Sequence, residues 1–300
     1  MNLSGSICAI ATPFRAADDA LDLDAFDRLI EFQISSGTRG LVVAGSTGEG
    51  AALSADEFAS LIVAAARRIA GRIPLIAGTG MQSTGKTIDQ TRLAASSGAD
   101  MALVATPAYV RPTQEGMYRH FSEIAGQGGL PVILYNVPSR SACDLLPETV
   151  ERMHSDAGIV GIKEAHSDAT RMAELLKLRS ESFALLSGDD PTCARAILAG
   201  ADGVISVAAN IAPAMMQALC ASAASGDVEN TSRIDAQLHA LFELLAVEPN
   251  PIPLKWCLQQ LGFGTDHLRL PLLPMSAAYH AQGKRVLNES GLLQSLRSAD

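Results

Sequence analysis

The sequence predicts an α/β protein, a (β/α)8 barrel carrying a small helical C-terminal domain. Eight short apolar runs recur along the 300 residues, and each is followed by a stretch able to form a helix. Strand signals stop after Asn210, and from about Gly226 the chain reads as helix alone. Strand–helix alternation with strands buried on both sides points to a closed parallel barrel, which places the boundary between residues 1–225 and 226–300.

The runs are 7–14, 40–45, 73–78, 101–106, 131–137, 159–163, 183–187 and 203–207, rich in Val, Ile, Leu and Ala. Such unbroken apolar runs read as strands covered on both faces. The first leads into Ala11-Thr12-Pro13-Phe14, where a doubly wound open sheet would more often show a G-x-G-x-x-G turn. After the second run, Ser54-Ala55-Asp56-Glu57 has the form of a capping box that opens a helix over 58–70. Gly71 ends that helix, and Pro74 sits at the opening of the third strand. Gly98 and Gly200 stand where helices should stop before the fourth and eighth strands. The uncharged stretch 203–226 is interrupted by Asn210, Pro213 and Gln217, so it reads as a strand and a helix, not a membrane span. Beyond it, Glu248-Pro249-Asn250-Pro251-Ile252-Pro253 breaks the C-terminal helices.

Composition narrows the function. A formal charge of −9 argues against nucleic acid or an anionic membrane as partner. Any anionic substrate must then be held by local donors against the overall field. Five cysteines without a C-x-x-C pair suit reduced thiols in a cytoplasmic protein. The N-terminus has no basic n-region and its short apolar stretch stops at Pro13, so no signal peptide is expected. Six scattered histidines show no metal-ligand spacing, and no metal is expected.

Lys163 is the most informative residue, because a charge ends the run Ile159-Val160-Gly161-Ile162. Strand alternation puts Ile159, Gly161 and Lys163 on one face, with Gly161 leaving space beneath the amine. Burial there strips the ammonium of hydration and favours a neutral amine, a nucleophile able to form a Schiff base with a ketone. In a barrel, catalytic groups gather where strands end. The second strand ends in Gly45-Ser46-Thr47-Gly48-Glu49, two hydroxyls between glycines whose backbone N–H groups could cradle a small carboxylate. The fourth runs into Thr106-Pro107-Ala108-Tyr109. The fifth ends in Tyr135-Asn136-Val137-Pro138-Ser139-Arg140. There Tyr135 shares a face with Ile133 and needs a hydrogen-bond partner if buried. Arg140 lies just past the strand end and could clamp a carboxylate.

Together these residues resemble the dihydrodipicolinate synthase and N-acetylneuraminate lyase family of class I aldolases, over nearly the whole chain. The stretches 135–140, 161–165, 187–190, 204–210 and 248–256 are similar to the synthase branch. The resemblance implies that Lys163 forms an imine with pyruvate, and that Tyr135, Ser46 and Tyr109 relay protons, Tyr109 reaching into a neighbouring subunit's site. It implies that Thr47 binds the pyruvate carboxylate with backbone around Gly188 and Ile205 lining the pocket. Arg140 would hold the carboxylate of L-aspartate 4-semialdehyde. A homo-oligomer is implied, a dimer of dimers (tetramer), with no organic cofactor, and the route served is diaminopimelate and lysine synthesis.

Two departures from the family pattern stand out. Ser46-Thr47 replaces the Thr-Thr common among synthases, whereas Ser-Thr is common in the lyase branch. Positions that resemble the site of lysine-inhibited members carry Ala108, Gln82, Ala55, Phe58 and Lys86, so a cationic effector would meet Lys86 and no inhibition by L-lysine is expected. Two other readings compete. One is a sister pyruvate aldolase acting on a sugar acid or hydroxy-oxo acid. The other is a nucleotide-binding protein, because Gly80-Met81-Gln82-Ser83-Thr84-Gly85-Lys86-Thr87 fits the P-loop pattern after a strand.

Overall fold

The computed structural model describes residues 3–290. Eight parallel strands close into a barrel in chain order: β1 (Gly5–Ala9), β2 (Gly40–Val43), β3 (Leu75–Gly78), β4 (Met101–Ala105), β5 (Val132–Asn136), β6 (Ile159–Glu164), β7 (Ala184–Ser187) and β8 (Gly203–Ser206). β8 pairs back onto β1 with Ile7 opposite Ile205, so the sheet is closed and not doubly wound. Helices Leu23–Ser35, Ala55–Ile69, Thr84–Ser96, Gln114–Gln127, Ala169–Leu176, Asp190–Leu198 and Pro213–Ala224 follow seven of the strands. After β5 the helix is split by two prolines into Pro138–Ser141 and Pro147–Glu151, each with Pro in its first turn.

Alternation along the strands builds two cores. Ile7, Ala9, Val42, Ile76, Met101, Leu103, Ile133, Leu186 and Ile205 fill the barrel. Cys8, Leu41, Val43, Leu75, Leu134, Ile162, Leu185 and Val204 face outward and pack with Phe26, Phe58, Phe121 and Phe183. Burial of each large apolar side chain contributes about 1.5–3 kcal/mol, and two covered faces explain why the runs lack polar alternation. The capping box is present: Ser54 Oγ accepts from the Glu57 N–H, and Glu57 Oε2 accepts from the Ser54 N–H.

Two readings of the strands are corrected. The first run extends to Phe14, but β1 ends at Ala9, and Phe14 instead bridges Leu21 in antiparallel fashion beyond the barrel. Second, Ile159 does not share a face with Lys163. Val132 pairs with Ile159 and Ile133 with Gly161, so Val160 is an extra residue that shifts the alternation. Ile159 therefore joins the outer core while Val160 packs on the inner one.

Past Gly226, helices Val228–Leu245, Ile252–Gln260 and His280–Glu289 form the C-terminal part, with Trp256 stacked on His280 at 5.2 Å between ring centroids. Among the described residues no helix is long and apolar enough to cross a membrane. No group of three or more His, Cys, Asp or Glu residues there could hold a metal ion.

Candidate active site

The C-terminal ends of the strands surround a cavity of about 190 Å³ lined by Ser46, Thr47, Tyr135, Arg140, Lys163 and Gly188, with Asp189 and Asn250 also at its wall. Six of the eight residues expected at the site are thus brought together. Lys163 is only 5 % exposed. Its partner across the ladder is Tyr135, whose ring centroid lies 4.3 Å from Lys163 Nζ. No carboxylate lies within ion-pair distance of this amine among the described residues. Lys255, also buried, differs: it is bonded to Glu49 and does not line the cavity. Lys163 is therefore the buried lysine at the cavity that no described carboxylate holds.

Space for the amine comes from a different glycine than the one expected. A Cβ at Gly161 would lie 2.5 Å from the Ala184 carbonyl oxygen, so that glycine serves the close approach of β7. A Cβ at Gly188 would lie 2.9 Å from Lys163 Cε, so Gly188 makes room for the lysine stem.

Behind the cavity, the residues that follow Tyr135 and Lys163 point outward and are tied together. Asn136 Nδ2 donates to both Glu164 oxygens at 3.1 Å and to Asp144 Oδ1 at 2.9 Å. Arg171 donates through Nε to Glu164 Oε2 at 2.7 Å, through Nη1 to Asp144 Oδ2 at 3.0 Å, and to the Leu145 carbonyl. The His166 N–H completes the set, donating to Glu164 Oε1 at 2.8 Å. Burial pushes the Glu164 carboxyl up, and the Arg171 charge opposes that shift. This network fixes the β5–β6 edge that carries Tyr135 and Lys163.

Two expected residues stand apart from the cavity within one chain. Tyr109 is 90 % exposed with φ of +73° and does not line it. Ile205 lies inside the barrel, 1 % exposed, and Val207 takes the place at the wall. Ser46 is exposed, and neither its hydroxyl nor that of Tyr135 bonds another described residue, so no hydroxyl relay is closed within one chain. Asn250 was missed as a site residue. It donates from Nδ2 to Thr47 Oγ1 at 3.0 Å, and its carbonyl accepts from Arg140 Nη2 at 3.0 Å. The signal was the proline-flanked break at 248–253, but which side chain turns inward depends on how that break folds back over the barrel.

In the P-loop pattern the hydroxyl that would meet a bound metal is engaged within the loop, accepting from the Met81 N–H at 3.1 Å. The Thr87 hydroxyl turns back on the Ser83 carbonyl at 3.0 Å, as a helix-interior threonine does. Nearby, Thr84 Oγ1 and His120 Nδ1 lie 2.9 Å apart, and burial lowers His120 from 6.5 to about 4. The unfolded chain then binds the proton more readily than the folded one. Stability from neutral His120 is full above pH 6.5 and is lost as pH falls through 4. The loss should reach roughly 3 kcal/mol. Urea unfolding across that window should show the slope, and His120→Gln should flatten it.

A closed (β/α)8 barrel with a buried lysine that has no ion pair among the described residues, ringed by hydroxyls and one arginine, has the form of a barrel enzyme with a candidate site around that amine. Residues 2–290 match the profile of the Dihydrodipicolinate synthetase family. The chain belongs to that family and is an enzyme. It is 53 % identical over 298 residues to a 4-hydroxy-tetrahydrodipicolinate synthase of Stenotrophomonas maltophilia, covering 99 % of this chain and 100 % of the relative. The dihydrodipicolinate synthase structure from Thermotoga maritima superposes with a TM-score of 0.95 at 39 % identity, covering 98 % of this chain and 100 % of that one. The chloride-inhibited dihydrodipicolinate synthase from Acinetobacter baumannii, complexed with pyruvate, gives 0.94 at 41 %, covering 97 % and 99 %.

Proposed function

We propose that this enzyme condenses pyruvate with L-aspartate 4-semialdehyde to 4-hydroxy-tetrahydrodipicolinate, in the diaminopimelate route to lysine, through a Schiff base on Lys163. The supporting observation is the buried Lys163 amine, without an anionic partner among the described residues, at a small cavity in a chain similar to a synthase solved with pyruvate. Nζ adds to the ketone carbon and water leaves, giving an imine. The imine accepts the electron pair released as a methyl proton departs, and the resulting enamine carbon attacks the aldehyde. The semialdehyde amino group then attacks the imine carbon, closing the ring and freeing Lys163.

In this reading Tyr135 and Ser46 move protons with Tyr109 from a second copy, since Tyr109 points to solvent in its own chain. The assembly is a homo-oligomer, a dimer of dimers, whose sites are completed across one interface. Thr47, with backbone near Gly188 and Val207, receives the pyruvate carboxylate, and Arg140 holds that of the semialdehyde. Catalysis belongs to residues 1–225, and the helical domain 226–300 covers the site through Asn250.

Supplying both substrates should cause pyruvate consumption, and borohydride with pyruvate alone should add mass to Lys163. Trapping without turnover would shift the reading to the sister aldolase acting on a sugar acid or hydroxy-oxo acid. Arg140→Ala separates the two: kcat/KM for the semialdehyde should fall about a hundredfold, whereas a lyase that does not use Arg140 would keep its rate. L-Lysine should not inhibit, because exposed Lys86 and buried Phe58 offer a cation no acid. Inhibition at sub-millimolar lysine would overturn that.

A further inference from the structure

The turn that carries Ser46 and Thr47 is strained at both ends. Ala44 and Glu49 hold φ of +56° and +52°, a region that non-glycine residues avoid. Such strain persists only where surrounding contacts over-determine the backbone. Two of those contacts come from the C-terminal part. Asn250 reaches Thr47 from above. Below, outside the cavity wall, Glu49 turns inward to Lys255 on helix Ile252–Gln260.

Both members of this pair are buried, Glu49 at 5 % and Lys255 at 1 % exposure, and Lys255 Nζ lies 2.8 Å from Glu49 Oε1. Every remaining polar atom of the pair is used. Lys255 Nζ also donates to the Thr12 carbonyl at 2.8 Å and sits 4.4 Å from the Phe14 ring centroid. Glu49 Oε2 accepts from the Arg269 N–H at 3.1 Å, and Thr12 Oγ1 closes the ring of contacts by donating to the Gly48 carbonyl at 2.7 Å. Stability does not account for the pair, because a well-bonded buried ion pair is about neutral against an apolar replacement of similar volume. What an apolar pair cannot do is pin the end of a strained turn in one direction.

We propose that Glu49 and Lys255 are positioning residues: the C-terminal helix sets the placement of Thr47 through this pair, and so sets affinity for the keto-acid carboxylate. The inference rests on the reading that Thr47 receives that carboxylate. It separates two effects that a merely structural pair would couple. Lys255→Met leaves Glu49 buried and unpaired, and should lower the urea unfolding midpoint. The double variant Glu49→Gln/Lys255→Met removes both charges while the glutamine amide still accepts from the Arg269 N–H, and should recover most of the lost midpoint.

Borohydride trapping on Lys163, titrated with pyruvate, provides the second readout. In the double variant the half-saturating pyruvate concentration should stay raised by about tenfold or more, while the maximal yield of trapped enzyme and the KM for L-aspartate 4-semialdehyde remain as in wild type. Recovery of both stability and pyruvate half-saturation would overturn the proposal. Should the double variant not fold, Glu49→Gln decides: its amide keeps the volume and weakens the tether, so half-saturation should rise severalfold, and an unchanged value overturns the proposal. A wild-type protein that traps no pyruvate would overturn the reading of the site itself, a result visible before any variant is compared.

Discussion

Lys163→Ala should abolish turnover, by at least about four orders of magnitude, without loss of fold. No neighbouring group can replace the amine: Lys255, the other buried lysine of the described barrel and cap, is held by Glu49 and the Thr12 carbonyl. Folding should tolerate the change because Lys163 has no ion pair among the described residues and sits against the Tyr135 ring. Removing a buried amine that lacks a charged partner relieves a desolvation cost, which offsets the lost packing of the stem. Pyruvate consumption measures the first effect and urea unfolding the second. Residual turnover above about one per cent would place the nucleophile elsewhere.

Arg171→Ala should have the largest effect on stability, about 3–5 kcal/mol by urea unfolding at neutral pH. The substitution leaves Glu164, which is 0 % exposed, without its cation, and takes the guanidinium donors from Asp144 and the Leu145 carbonyl, although Asp144 keeps its bond from Asn136. The pH dependence distinguishes this cause from simple loss of packing. Burial already raises the Glu164 carboxyl above its ordinary 4.5, and without Arg171 nothing cationic opposes it. A group raised in the folded state stabilises fully below its unfolded value and less as pH rises. The deficit of the variant should therefore be small near pH 4.5 and grow toward neutrality. A deficit independent of pH would mean that the guanidinium acts by packing alone.

Much of the fold was legible because burial on both faces of a strand leaves a local mark, an unbroken apolar run, and helix starts leave another, as at Ser54 and Glu57. Lys163 was legible for the same reason, as a charge where the run demands none. The errors fall where local pattern meets a neighbouring strand. The Val160 bulge swapped the face of Ile159, and only pairing with β5 creates it. Gly161 and Gly188 read alike in sequence, yet one serves the approach of β7 and the other the lysine stem.

What the sequence by itself determined is therefore the barrel, its order of strands and helices, and the placing of candidate residues such as Lys163 at strand ends, because hydrophobic periodicity and capping act over a few residues. Tertiary structure alone decided which partners hold those residues: Asn250 on Thr47, Lys255 beneath Glu49, Arg171 behind Lys163. Side chains meeting across about 200 residues of sequence, as Asn250 and Lys255 meet the Ser46 turn, leave no periodic trace. Their contact is fixed by how the helices close over the barrel. Tyr109 shows the same limit one level higher: it is 90 % exposed within one chain, so the role proposed for it depends on a second copy.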